Sequence, residues 1–137
     1  MQIGGEHDED VGKLDVGPTK IEIKATRSDS VSLSGVQAAA AAGDSTHYWL
    51  CVVAFDSDEV TGTVNIEFVC ANAFFVERIG ETLSGPRGDL DKAIETAREE
   101  GIELEHVDAI RFRVQRDVWV SRGVRVVDFV RRILGRG

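Results

Sequence analysis

The chain has 137 residues, enough for one domain with a real core, and a formal net charge of −8. No apolar run reaches the roughly 18 residues of a membrane span, and the acidic, glycine-containing start does not read as a signal peptide. Cys51 and Cys70 lie inside apolar runs, no CxxC occurs, and His7, His47 and His106 are scattered; this argues against zinc and disulfides and for a cytoplasmic setting.

Residues 1–9 read as an unpaired acidic lead-in. Residues 10–16 are expected as a strand with Val11, Leu14 and Val16 apolar, and Gly12 marks a bulge. Gly17-Pro18-Thr19 is a turn. Residues 20–26 form the returning strand of a hairpin, with Ile21 and Ile23 alternating with Glu22 and Lys24. Side chains two apart on a strand share a face, so Glu22 and Lys24 stand side by side. A carboxylate there can hold a divalent cation, and an ammonium beside it can orient water or steady a developing negative charge. A half-buried strand with a solvated Glu/Lys face gives the same pattern.

Residues 27–30 break the pattern, and Val31-Ser32-Leu33 is briefly extended. Ser34 is expected to cap a helix through Gln37 and Ala38–Ala42, stopped by Gly43. Residues 47–55 are continuously apolar and rich in β-formers, as for a central strand buried on both faces. Asp56-Ser57-Asp58-Glu59 lacks the spacing of a calcium loop and reads as a polar turn. Residues 63–69 read as a strand, running on into 71–76 as a bend or short helix. Residues 83–88 are the clearest break, a loop or joint between a core of about 8–83 and a C-terminal extension or subdomain, 84–137. Asp89 would cap a helix to about Glu100, with Leu90, Ile94 and Ala97 inward and Gly101 ending it. In a strand at 106–114, Ile110, Phe112 and Val114 alternate with Arg111 and Arg113, and Trp119 falls in the loop after it. The last element, 126–134, reads as an amphipathic helix with Val127, Val130 and Leu134 on one side.

Charge is unevenly placed. Residues 1–110 hold eight Lys and Arg against 22 Asp and Glu, a net of −14. Residues 111–137 hold eight arginines against Asp117 and Asp128, a net of +6, which is the one electrostatic footprint suited to nucleic acid. The element order predicts one α/β (α+β) domain, a mixed central sheet flanked by helices.

The order hairpin, E-x-K, helix, buried strand, with Ile21-Glu22-Ile23-Lys24-Ala25-Thr26-Arg27, Val31-Ser32-Leu33-Ser34, Gln37 and Tyr48-Trp49-Leu50-Cys51-Val52-Val53, resembles the PD-(D/E)XK nuclease superfamily. More narrowly, it resembles the domain at the C-terminus of the plant protein NO VEIN, whose bacterial relatives accompany helicases and restriction or phage-defence proteins. The resemblance covers residues 8–55 well and 56–137 only in element order. It implies a restriction-endonuclease-like fold and Mg²⁺- or Mn²⁺-dependent hydrolysis of DNA.

The family motif needs a first acid at the start of the strand before E-x-K. Asp10 and Asp15 compete for that place, and Asp10 is preferred because a hairpin starting there returns Glu22 alongside. Asp10, Glu22 and the carbonyl of Ile23 would then hold the metal, and Lys24 would position water or stabilise charge. Gln37 falls where many members place a polar residue facing the site. Arg111, Arg113 and Arg116 would hold the DNA backbone. Two features depart from the family. Glu9, not proline, precedes Asp10. Only nine residues stand where members carry an N-terminal helix, so that wall is lost, lies in a longer protein, or comes from a neighbouring chain, as in a homodimer. The partners implied are DNA and a helicase or other defence protein. The alternative reading is a catalytically inactive nuclease-like module for DNA binding or protein assembly.

Overall fold

The structure, a computed structural model, describes residues 8–55 and 72–135. The hairpin forms as expected: β1 (Asp8–Val16) pairs antiparallel with β2 (Thr19–Thr26). Gly17 makes the turn at φ 59°, a left-handed value that glycine adopts without strain. After β3 (Ser30–Ser34) and helix α1 (Gly35–Gly43), β4 (Tyr48–Ala54) returns parallel to β2. β5 (Ala73–Val76) pairs antiparallel with β4, giving a four-stranded mixed sheet in the order β1-β2-β4-β5. The chain is therefore a mixed α/β fold with helices on its sheet.

The alternation in β4 sets the two faces. Tyr48, Leu50 and Val52 share one core with Val31, Leu33, Ala38 and Ala41. Trp49, Cys51 and Val53 share another with Ile21, Ala25 and Phe129. Every residue of β4 from Tyr48 to Val53 is buried, as a strand covered on both faces requires. The link from β2 to β4 thus lies over the face that also carries Glu22 and Lys24. No helix among the described residues is long and apolar enough to cross a membrane.

Four expectations are corrected. The break at 83–88 is the interior of one helix, α2 (Ile79–Glu99), with Pro86 inside it. Proline removes the partner of the Thr82 carbonyl, but Thr82 and Pro86 are exposed, where water can satisfy that group. The anchors Ile79 and Leu83 are buried against the sheet and outweigh the local breaker signal. Residues 73–76 are strand, not bend or helix, because Phe74 and Phe75 each fill an opposite face. Trp119 is not in a loop. It lies in a short helix, α3 (Arg116–Arg122), after β6 (Arg111–Gln115), and is fully buried.

The last helix, α4 (Val126–Gly135), is turned the other way from its expected stripe. Phe129 points inward, edge-on to Trp49 with centroids 4.8 Å apart and stacked on Phe75 at 4.1 Å. Val126 and Ile133 flank it, while Val127, Val130 and Leu134 face out. One aromatic side chain with two aromatic partners outweighs three aliphatic ones. The strand expected at 63–69, the turn at 56–59 and Cys70 lie outside the described residues.

β6 pairs antiparallel with β3 as a separate two-stranded ribbon. Its Val114 joins the same core as Val31 and Leu50. Residues 111–122 therefore help to wall the face that carries Glu22 and Lys24.

Candidate functional site

Register places the acids. Asp10 lies across from Lys24, and Lys13 across from Glu22. The ladder slips between Asp10 and Gly12, where Gly12 takes φ 139°. This is the bulge expected at Gly12. It turns the start of β1 so that Asp10 shares the Glu22/Lys24 face. Asp15 pairs with Lys20 near the turn. Of the two competing first acids, Asp10 is thus the one beside Lys24.

The Glu/Lys face is not solvated. Glu22 and Lys24 are each 2 % exposed, whereas the Asp10 side chain at the mouth is 49 % exposed. A buried lysine and a buried glutamate need partners, and both have them. Lys24 Nζ donates to Gln37 Oε1 at 3.1 Å and lies 3.8 Å from Asp10 Oδ2. Glu22 Oε1 accepts from the Tyr48 hydroxyl at 3.2 Å. Glu22 accepts no further hydrogen bond among the described residues, which leaves its second oxygen uncommitted.

Gln37 joins these groups because of where it sits in α1. It is the third residue of the helix, and with Ser34 it forms a reciprocal capping box. Ser34 N–H donates to Gln37 Oε1 at 2.9 Å, and Gln37 N–H donates to the Ser34 hydroxyl at 3.1 Å. The cap fixes which end of the amide is the acceptor. Nε2 must then point away, and it donates to Asp10 Oδ2 at 2.6 Å. The same side chain closes the helix and ties the acid to the amine.

Burial is the main cause that raises the Glu22 carboxyl above its ordinary range, and the Asp10 charge adds to it. The Tyr48 hydrogen bond, Lys24 and Lys13 act the other way. The Tyr48 hydroxyl is itself pushed up, first by burial and then by Glu22. A buried carboxyl whose ionisation a second acid makes costlier is the arrangement that a bound cation relieves. Among the described residues no three His, Cys, Asp or Glu gather into one cluster. Magnesium takes few carboxylates and keeps several waters, so Asp10, the free oxygen of Glu22 and the backbone of Ile23 beside the bulge suit it chemically.

The candidate backbone arginines separate. Arg111 pairs with Ser34 and Arg113 with Ser32 across the β3–β6 ribbon, on the face away from Val31 and Leu33. Arg111 therefore stands directly across from the residue that caps the Gln37 helix. Both are exposed, with no ion pair or hydrogen bond among the described residues. Arg116 sits 3.6 Å from Asp29, past the end of β2. Much of the remaining arginine-rich end is structural: Arg122 bonds Thr82 and the Glu77 carbonyl, Arg132 pairs with Glu77, and Arg125 lies over Phe74.

Tyr48 was not legible as a site residue. It opens an apolar run and reads as core. Its one signal is the parity of β4, which puts position 48 on the helix-covered face.

Compared with protein-family models, curated proteins and solved structures, the chain matches none.

Proposed function

We propose that the chain is a metal-dependent DNA endonuclease domain of PD-(D/E)XK type, similar to the NO VEIN C-terminal domain and suited to a restriction or phage-defence system. The observation that carries this reading is the Asp10–Gln37–Lys24 network with Glu22 buried beside it. A surface E-x-K would be left to solvent. Here both charges are taken out of water, which costs several kcal/mol per ion before pairing, and a helix-capping side chain ties the lysine to Asp10. Buried, coupled titratable groups in one pocket favour a chemical role.

Asp10, the free oxygen of Glu22 and the Ile23 carbonyl would hold Mg²⁺ or Mn²⁺, which when bound supplies Lewis-acid polarisation of a phosphodiester and a more acidic water. The chain's own groups do the rest. Lys24 presents a fixed ammonium to the charge that develops on the phosphate oxygens. Gln37 holds Asp10 and Lys24 in register. Tyr48 holds one oxygen of Glu22 and leaves the other for the ion. Arg111 and Arg113, on the outer face of the β3–β6 ribbon, would meet phosphates flanking the site, which positions without reading sequence.

The test is cleavage of single-stranded, double-stranded and modified DNA with Mg²⁺. Glu22→Ala and Lys24→Ala are each expected to lower the rate on the order of 10²-fold or more. Absence of cutting by the wild type on all of these forms would remove the reading.

One observation favours an inactive, DNA-docking module instead. Lys24 already pairs with Asp10, the acid a metal would need. On that reading Glu22→Ala leaves DNA binding unchanged and no metal binds in the hairpin pocket.

A further inference from the structure

A cavity of about 420 Å³ opens past the ends of β2 and β4, lined by Arg27, Asp29, Ala54, Phe74, Arg116 and Trp119 among others. β2 and β4 are parallel, and the crevice at the carboxyl ends of such strands is where α/β sheets bind ligands. Ala54 pairs with Thr26 and Phe74 with Val52, on the Glu22/Lys24 side of the sheet. The cavity and the acid/lysine pocket therefore lie on one face.

Its two cations differ from the structural arginines of the C-terminal end. Arg27 follows β2 directly, is exposed, and makes no hydrogen bond or ion pair among the described residues. Arg116 is anchored by its backbone N–H, which donates to the Asp29 carbonyl at 2.7 Å. Its guanidinium meets the Asp29 carboxylate at 3.6 Å, with the two side chains 64 % and 86 % exposed. Such an exposed pair is weak, and a phosphate offering bidentate geometry displaces it.

Position decides what the cavity is for. Lys24 lies inside β2 and Arg27 just past its end, so the two mark neighbouring points along one strand of the sheet. A nucleic-acid strand whose backbone follows β2 offers the cavity a different phosphate from the one at Lys24. We propose that the cavity binds a backbone phosphate of the strand being cut, other than the scissile one, between the guanidinium groups of Arg27 and Arg116. Asp29 holds Arg116 in place until the strand arrives. The proposal rests on the phosphodiesterase reading above and extends it to a second contact on the same strand.

The test is binding of a labelled single-stranded oligonucleotide by the full chain in Ca²⁺, read by fluorescence anisotropy across a salt series. Wild type is compared with Arg27→Ala, Arg116→Ala, the double variant and Arg116→Lys. The double variant is expected to bind roughly tenfold more weakly, the order of a charge-assisted hydrogen-bond pair. Its salt slope should fall by about 0.7, one phosphate of a single strand, and Arg116→Lys should keep most of the slope. A scan placing one neutral methylphosphonate at a time should find a single linkage that matters to wild type and not to the double variant. Wild-type affinity and slope in the double variant, or the same scan profile in both proteins, would overturn the proposal. If Glu22→Ala abolishes cutting while the arginine variants bind normally, only this subsite falls. If wild type binds neither this oligonucleotide nor its duplex, the subsite and the nuclease reading fall together.

Discussion

Gly80 meets Ala41 so closely that a Cβ on Gly80 would lie 2.0 Å from the Ala41 carbonyl oxygen and 2.7 Å from Ser45 Cα. This is backbone against backbone, between the first turn of α2 and the last turn of α1. The contact seats α1 on the sheet, and α1 carries Gln37. Gly80→Ala is therefore expected to cost about 1–3 kcal/mol as an overpacking change, or more where backbone must move. Gly85 and Gly88 lie in the same helix, and a Cβ at either meets nothing. Substituting either with alanine is expected to stabilise by about 0.5–1 kcal/mol. Urea midpoints at unchanged m-value read both effects. Equal midpoints for Gly80→Ala and wild type would contradict this seating of α1.

Gln37 has two jobs that two variants separate. Gln37→Ala loses the capping box and both site hydrogen bonds, and is expected to cost roughly 1–2 kcal/mol of stability together with activity. Gln37→Glu keeps the cap, since glutamate serves equally at that position, but cannot donate to Asp10. It sets a second carboxylate against Asp10, so it is expected to lose some stability with its cap intact and about tenfold or more in cleavage. Full cleavage by both variants would reduce Gln37 to a helix cap.

The raised Glu22 carboxyl fixes a pH dependence. Its ordinary value is 4.5, and the folded value lies above this. Between the two, the folded state holds a proton that the unfolded state has released. Stability is then fully present below the ordinary value and is lost as pH rises through the folded one. Glu22→Gln should flatten that fall, as urea titrations at stepped pH can show. The proposed metal binding needs the carboxylate, so it should weaken on acidification at a higher pH than an ordinary glutamate allows. A wild-type profile matching Glu22→Gln would mean that Glu22 is not perturbed.

Tyr48→Phe removes one hydroxyl from a buried pair. The Glu22 oxygen it served is left unsatisfied, a change of about 1–3 kcal/mol. Because that bond lowers the Glu22 carboxyl, its loss should raise the pH at which metal binding fails. The signature is a shifted pH midpoint of metal affinity with the fold intact by circular dichroism. An unchanged midpoint would leave Tyr48 as core alone.

Much of the site was readable because it is local. The E-x-K parity, the glycine at the bulge and the Ser34 cap are each set within a few residues, whereas Gln37 entered through the resemblance alone. Burial of Glu22 and Lys24 was not readable, since it depends on α1 and β3 folding back over their face. Tyr48 was hidden for the same reason: its partner lies 26 residues away. The misread joint at 83–88 shows tertiary anchoring at Ile79 and Leu83 overriding glycine and proline. The reversed face of α4 shows one aromatic residue, Phe129, outranking a regular aliphatic stripe.

The proposed chemistry requires Asp10 and Glu22 to share one divalent cation. Calorimetric titration of Mn²⁺ into wild type, Asp10→Asn and Glu22→Gln tests this most directly. Wild type is expected to bind a single ion, with each variant weakened at least tenfold. No binding by wild type, or equal binding by wild type and Glu22→Gln, would contradict it.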